Sequence, residues 1–102
     1  MLDLRRYQRS PIDVELEFAL KGSTERMRGR AKDISLGGMF VQTAQPQAFS
    51  SELVVYATLP GQRAQLTLPC IVRWVGGGGM GLQFGLIGAR ETYAITEATK
   101  ST

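Results

Sequence analysis

Residues 12–20, with the sequence IDVELEFAL, carry the clearest structural pattern of the chain. Apolar side chains occupy every second position from Ile12 to Leu20, and the positions between them hold acidic residues and one alanine. A period of two places one set on each face of an extended chain, which predicts a half-buried β-strand. Lys21-Gly22-Ser23 then supplies turn-forming residues, so we expect the strand to end there.

Outward from this strand, further apolar segments alternate with turn-forming residues. We predict strands at residues 27–34, 39–41, 53–59, 65–75 and 80–84, and a short helix at residues 89–99. Residues 43–51 predict a loop, and the glycines at 76–79 predict a hairpin connection. Within residues 65–75, one parity holds Leu66, Leu68, Cys70, Val72 and Trp74, while Pro69 predicts an edge position or a bulge.

Six short strands and one terminal helix in 102 residues predict an all-β domain. A six-stranded antiparallel β-barrel is favoured, because closing the sheet removes exposed strand edges. No apolar run approaches the roughly 20 residues of a membrane helix, and the first nine residues lack the apolar core of a signal peptide. We therefore expect a cytoplasmic protein with no membrane insertion.

Residue types missing from the sequence restrict its chemistry. Histidine is absent and Cys70 is the single cysteine, which excludes histidine-based triads, an internal disulfide and a cysteine-cluster metal site. We expect Cys70 to be a buried thiol. No enzyme, no metal and no cofactor is therefore predicted.

The basic residues are concentrated at the start of the chain. Residues 1–32 hold eight Lys and Arg against five Asp and Glu, whereas residues 33–102 hold four of each kind. Arg5, Arg6 and Arg9 precede the first strand, and the spacing of four places Arg5 and Arg9 on one face. Because a guanidinium group donates in pairs to phosphate oxygens and to guanine, this segment favours an anionic ligand.

A second polar constellation, Asp33-Ile34-Ser35-Leu36-Gly37-Gly38, lies where the second strand breaks. Asp33 and Ser35 are two apart, so we expect them on one face. The glycines allow positive φ and close approach of the backbone to a ligand. Taken alone, each feature has a simpler interpretation. The arginines could be a solvated tail, and the Asp-Ser-Gly segment could be a hairpin turn. Trp74 could be an aromatic residue of the core or of its rim.

The two constellations together resemble the signature of PilZ domains. The Arg-x-x-x-Arg element matches Arg5 and Arg9, and the Asp-x-Ser-x-x-Gly element matches Asp33, Ser35 and Gly38. The later segments IVRWV, residues 71–75, and GMGLQF, residues 79–84, also look like strands of that family. The resemblance covers about residues 4–86, nearly the whole chain.

The resemblance implies a PilZ-type barrel, residues 12–102, preceded by a flexible arginine segment, residues 1–11, that closes over cyclic di-GMP. Ligand contacts are implied for the arginine segment and the barrel surface at Arg5, Arg6, Arg9, Asp33, Ser35, Gly37 and Gly38. Trp74 resembles an aromatic that borders the ligand in some members. The expected function is that of a bacterial second-messenger receptor that regulates a protein partner, in motility or biofilm formation for example.

Two other functions remain open from the sequence. The barrel could act as a ligand-independent protein-interaction module, which the intact motifs disfavour. It could also bind single-stranded nucleic acid through its basic first third. Aromatic residues are sparse there, and only Tyr7 lies among the arginines, which disfavours nucleic acid.

Overall fold

The computed structural model describes residues 9–100, which form six strands followed by one helix. In chain order these are β1 (Ser10–Leu20), β2 (Met27–Ile34), β3 (Gly38–Gln42), β4 (Glu52–Ala57), β5 (Leu66–Gly76), β6 (Gly79–Phe84) and α1 (Ala89–Lys100). Every predicted element is present, and no end moves by more than two residues.

The strands close into a barrel in the order β1-β2-β3-β6-β5-β4, and every neighbouring pair is antiparallel. The predicted six-stranded antiparallel barrel with a short C-terminal helix is therefore confirmed. Closure gives each strand two neighbours, so no strand of the described chain is an edge strand along its whole length.

The alternating apolar residues fill one core inside the barrel. Phe18, Ile34 and Leu68 are among its fully buried side chains. Each such side chain contributes about 1.5–3 kcal/mol through removal of apolar surface from water. The helix α1 adds Ala94, Ile95 and Ala98 to the same core. The Ser10 hydroxyl donates to the Thr99 carbonyl at 3.0 Å, which ties the start of β1 to the last turn of α1.

Pro69 lies at a local edge rather than at a bulge, because the β5–β6 ladder begins only at Cys70 opposite Phe84; the edge alternative of the prediction is therefore confirmed. Pro69 pairs with Val54 within an unbroken β4–β5 register. Its carbonyl oxygen accepts from Gly85 N at 2.8 Å. Since N and O of a strand residue point to the same side, its missing N–H faces the point where β6 ends at Phe84. Proline therefore costs the barrel one bond at a ladder end.

The hairpin between β5 and β6 is confirmed and turns on two glycines. Gly77 has φ 62° and Gly78 has φ 82°, as a two-residue turn with both central residues in the left-handed region requires. Within residues 9–100, no helix combines the length and apolarity needed to cross a membrane.

Candidate functional site

A β-bulge in β2 places Asp33 on the outer surface of the barrel. The β2–β3 register shifts between Ala31 and Asp33, so Lys32 is the extra residue and Asp33 lies opposite Phe40. The side chain of Asp33 is 31% exposed. Its Oδ1 accepts from the backbone N of Phe40 at 3.2 Å. The bulge and this bond together fix a partly exposed carboxylate.

The barrel register brings the N-terminal segment to this carboxylate. Ser10 lies opposite Ile34 and Pro11 lies opposite Asp33 in the β1–β2 ladder. Arg9, directly before β1, donates from Nη1 to Oδ1 of Asp33 at 2.5 Å. Arg9 of the first motif is therefore in contact with Asp33 of the second motif. Arg5 and Arg6 lie outside the described residues.

Ser35 organises the turn that follows β2. It is buried, and its Oγ accepts from Gly37 N at 3.1 Å. Its backbone N donates to the Gly38 carbonyl at 2.8 Å, and Phe84 N donates to the Gly37 carbonyl at 2.9 Å. Because β2 ends at Ile34, Ser35 belongs to the turn rather than to the strand. Its hydroxyl bonds within this turn, to the Gly38 carbonyl and from the Gly37 N–H.

Position 38 requires glycine because a side chain would not fit there, and not because the backbone adopts a positive φ. A Cβ at this position would overlap the Leu82 carbonyl oxygen of β6. Neither Gly37 nor Gly38 is among the positive-φ residues, so that part of the sequence expectation is wrong. The absence of a Cβ at Gly38 allows a close approach of β3 to β6.

Trp74 lies on the outer surface of the barrel, although it continues the alternation of the buried residues of β5. The β5–β6 register shifts between Val72 and Trp74, and the indole is 46% exposed while Val72 is fully buried. The interpretation of Trp74 as a core residue is therefore wrong, and that of a rim aromatic is confirmed. A bulge reverses the side to which the following residue points.

The exposed indole stacks on Phe40. The two ring centroids are 5.3 Å apart and the planes meet at 20°. Gly81 lies opposite both residues, in the β3–β6 and β5–β6 ladders. A Cβ on Gly81 would collide with the indole, so the glycine makes room for the ring.

Asp33, Phe40, Gly81 and Trp74 thus form one row across four neighbouring strands on the outer surface. Phe40 was not predicted as a site residue, because in the sequence it is only one member of an apolar run. The glycine at position 81 leaves space for a large neighbouring side chain, but the sequence does not show which strands lie beside it.

The row joins a charged pair to an aromatic surface. Arg9 offers N–H donors, Asp33 offers carboxylate oxygens, and the Phe40–Trp74 pair offers a flat apolar face. This set suits a ligand that is planar, hydrogen-bonding and anionic. Within residues 9–100, no group of three or more His, Cys, Asp or Glu could hold a metal ion.

The other reactive groups of the described chain are not in this row. Cys70 is buried, and desolvation raises the pKa of its thiol to about 12. On the neighbouring face of β1, the Arg30 guanidinium lowers the pKa of Asp13 through a hydrogen bond of 2.8 Å. Neither group is poised as a nucleophile or as a general base.

Comparison with known proteins places this geometry in a family. The model of the PilZ domain family matches residues 3–96, almost the whole chain. No match to the chain is found among curated proteins.

Several solved structures share the fold. The PilZ domain of CeSA from a cellulose-synthesizing bacterium has a TM-score of 0.70 and 18% identity, covering 91% of this chain and 95% of that one. The PilZ domain of YcgR from Escherichia coli, solved with c-di-GMP, has a TM-score of 0.74 and 17% identity, covering 97% and 91%. The MrkH–c-di-GMP complex of Klebsiella pneumoniae has a TM-score of 0.70 and 16% identity, covering 94% of this chain and 50% of that one.

Proposed function

This chain belongs to the PilZ domain family, and from that premise we propose that it is a cytoplasmic receptor for cyclic di-GMP. PilZ domains are generally binding modules rather than enzymes. The observation that carries the proposal is the contact between Arg9 and Asp33, which unites the two motifs at one place on the barrel surface.

The Arg9–Asp33 pair has the chemistry to read a guanine. Guanine presents O6 and N7 as acceptors and N1–H and N2–H as donors, so a guanidinium and a carboxylate complement different parts of its edge. Both contacts of Asp33 within the described chain use Oδ1, which leaves Oδ2 able to accept from the base. The ligand phosphates take the remaining guanidinium donors.

The proposed mechanism is a ligand-gated clasp. Residues 1–9, which carry Arg5, Arg6 and Arg9, close over cyclic di-GMP on the barrel surface, whereas Ser10 and Pro11, which the sequence assigned to the flexible segment, are the first residues of β1. Ser35, Gly37 and Gly38 form the turn that borders the ligand on one side. The row that begins at Asp33 leads to Trp74, whose indole borders the ligand through its exposed face. Closure changes the surface offered to a partner protein.

The affinity follows from a small number of contacts. Micromolar binding requires about 8 kcal/mol, and each charge-assisted hydrogen bond contributes about 1.5–3 kcal/mol. Four or five such bonds with one stacked ring reach that range after the costs of association and of ordering the segment. We therefore expect low-micromolar to sub-micromolar affinity that falls with added salt, because the ligand is a dianion.

Calorimetry with cyclic di-GMP tests the proposal directly. The wild type is compared with Arg9→Ala, and with Arg63→Ala as the control, since Arg63 is an exposed arginine on the β4–β5 loop. Wild type and control should bind alike, while Arg9→Ala should lose tenfold or more. Absence of binding in a folded wild type would exclude the receptor function.

The two other functions predict different results. A ligand-independent interaction module captures its partner equally with and without cyclic di-GMP, as a pull-down under both conditions would show. A nucleic-acid-binding barrel binds single-stranded RNA with a steep salt dependence and lacks guanine specificity.

Release of a linear dinucleotide on prolonged incubation would identify an enzyme instead. A ligand-dependent partner from a motility or biofilm system would place the receptor in that process.

A further inference from the structure

The outer faces of β1 and β2 carry opposite charges in two parallel rows. The β1 row is acidic and consists of Asp13, Glu15 and Glu17; the facing row is basic and includes Arg26, Arg28 and Arg30. The ladder places Glu15 opposite Arg30 and Glu17 opposite Arg28.

The ion pairs between these rows run diagonally. Glu17 pairs with Arg26 at 3.0 Å, two residues beyond the arginine directly opposite. Asp13 pairs with Arg30 at 2.8 Å. The same offset would pair Glu15 with Arg28, but neither residue forms an ion pair within residues 9–100. Glu15 and Arg28, the middle pair of this series, therefore do not bond to each other; we call them the open pair.

A surface cavity of about 320 Å³ adjoins both residues. Glu15 and Arg28 both line it, together with Leu16, Glu17, Tyr56, Ala57, Thr58 and Gln65. It opens where the β1–β4 ladder stops, since that ladder pairs only Glu17 to Leu20 of β1. Two of its lining residues, Leu16 and Ala57, are apolar and almost completely buried.

The wall at Tyr56 already shows which chemistry suits the cavity. The guanidinium carbon of Arg26 lies 3.7 Å from the centroid of the Tyr56 ring, while the same guanidinium bonds to Glu17. A basic side chain held between a carboxylate and an aromatic face is thus stable at this seam.

We propose that this cavity is a docking site for an extended segment of a partner protein that carries a basic and an acidic side chain. The basic side chain binds Glu15 and the acidic one binds Arg28, which completes the open pair from outside. Side chains two apart on an extended segment point to one side, about 7 Å from each other, so one segment presents both charges to the same surface. The same surface of a second copy does not fit, because two concave surfaces cannot fill each other.

The test uses short peptides of defined charge as probes. Four acetylated and amidated tripeptides, Arg-Gly-Glu, Arg-Gly-Gln, Gln-Gly-Glu and Gln-Gly-Gln, are titrated into the nitrogen-15-labelled full chain. Arg-Gly-Glu should give saturable shifts at the amides of residues 15–17, 56–58 and 65. Replacing either charge should weaken binding about two- to fivefold, as expected for an exposed ion pair.

Variants of the protein make the assignment specific. Glu15→Gln should abolish the preference for arginine in the peptide and keep the preference for glutamate, while Arg28→Gln should do the reverse. Glu52→Gln, which alters an exposed carboxylate on β4 that pairs with Lys21, should change neither preference. Equal shifts with Gln-Gly-Gln, shifts that do not saturate, or preferences unaltered in both variants would each overturn the proposal.

The docking site is independent of the ligand site. None of the residues that line the cavity belongs to the row from Asp33 to Trp74. The peptide titration needs no cyclic di-GMP, so its failure leaves the receptor function untouched. Failure of the calorimetry likewise leaves the docking site untouched.

Discussion

Arg9 and Asp33 are 24 positions apart in the sequence, yet Nη1 of the first lies 2.5 Å from Oδ1 of the second. The contact depends on two features of the barrel. The β1–β2 register sets Pro11 beside Asp33, and the bulge at Lys32 sets the carboxylate beside Phe40. Both charged groups are about one-third exposed, so an incoming ligand can reach them.

Asp33→Asn should separate ligand binding from stability. The amide keeps an oxygen for the Phe40 N–H but loses the charge that holds Arg9, and exposed ion pairs contribute only about 0–1 kcal/mol to folding. We expect urea midpoints close to wild type and at least tenfold weaker binding of cyclic di-GMP by calorimetry. Glu52→Gln, which removes another exposed ion pair, should bind like wild type. A large loss of stability in Asp33→Asn would assign Asp33 to folding instead.

Gly38→Ala should destabilise the barrel. The new methyl group would overlap the Leu82 carbonyl oxygen, so β3 and β6 must separate. A cost of about 2–3 kcal/mol in the free energy of unfolding is expected from such overpacking, measured by denaturant unfolding. Gly85→Ala is the matched control, because its Cβ would lie 3.6 Å from Pro69 in ordinary contact. Equal stabilities of the two variants would contradict the close approach.

Trp74, the single tryptophan, should report ligand binding through its fluorescence. The indole is partly exposed and shares a row with Asp33, so a stacked guanine should quench it. Titration of the wild type should give a saturable decrease that Arg9→Ala shifts to tenfold higher concentration. A calorimetric binding signal with unchanged fluorescence would remove Trp74 from the ligand site.

Amide exchange should reveal the clasp. Ordering residues 1–9 around the ligand should raise the protection of their amides in the presence of cyclic di-GMP, because these amides lose access to water. Arg9→Ala at a saturating ligand concentration should show less protection. Ligand binding by calorimetry without any added protection in this segment would count against closure.

Cys70 should make the folded protein sensitive to high pH. Burial raises the pKa of its thiol from 9.0 to about 12, so the thiol stays protonated in the fold but ionises in the unfolded chain. Its contribution is fully present below pH 9 and is lost as the pH rises from 9 to 12. Between pH 8 and 11, wild type should lose about 2–3 kcal/mol more than Cys70→Ala in denaturant unfolding. Parallel stability curves would show that the thiol is hydrated.

The element boundaries follow from local patterns, whereas the faces of particular residues do not. Alternation along residues 12–20 and the glycine turns were sufficient to predict six strands, since both signals act within a few neighbouring residues. Trp74 continues the apolar parity of Val72 in the sequence, but a bulge turns it outward. Pro69 predicts an edge in the sequence, and the edge exists because the adjacent strand β6 ends at Phe84.

Both sequence motifs could be recognised, but the sequence did not show that they lie together on the barrel surface. The all-β class, the number of strands and the presence of arginine, carboxylate and glycine motifs could be read from the sequence, because side-chain chemistry and period are properties of the chain. The contact of Arg9 with Asp33, the stacking of Phe40 on Trp74 and the cavity lined by Glu15 and Arg28 are visible only in the folded barrel. Those relations depend on register and bulges, and these are set by strands distant in sequence when the barrel closes.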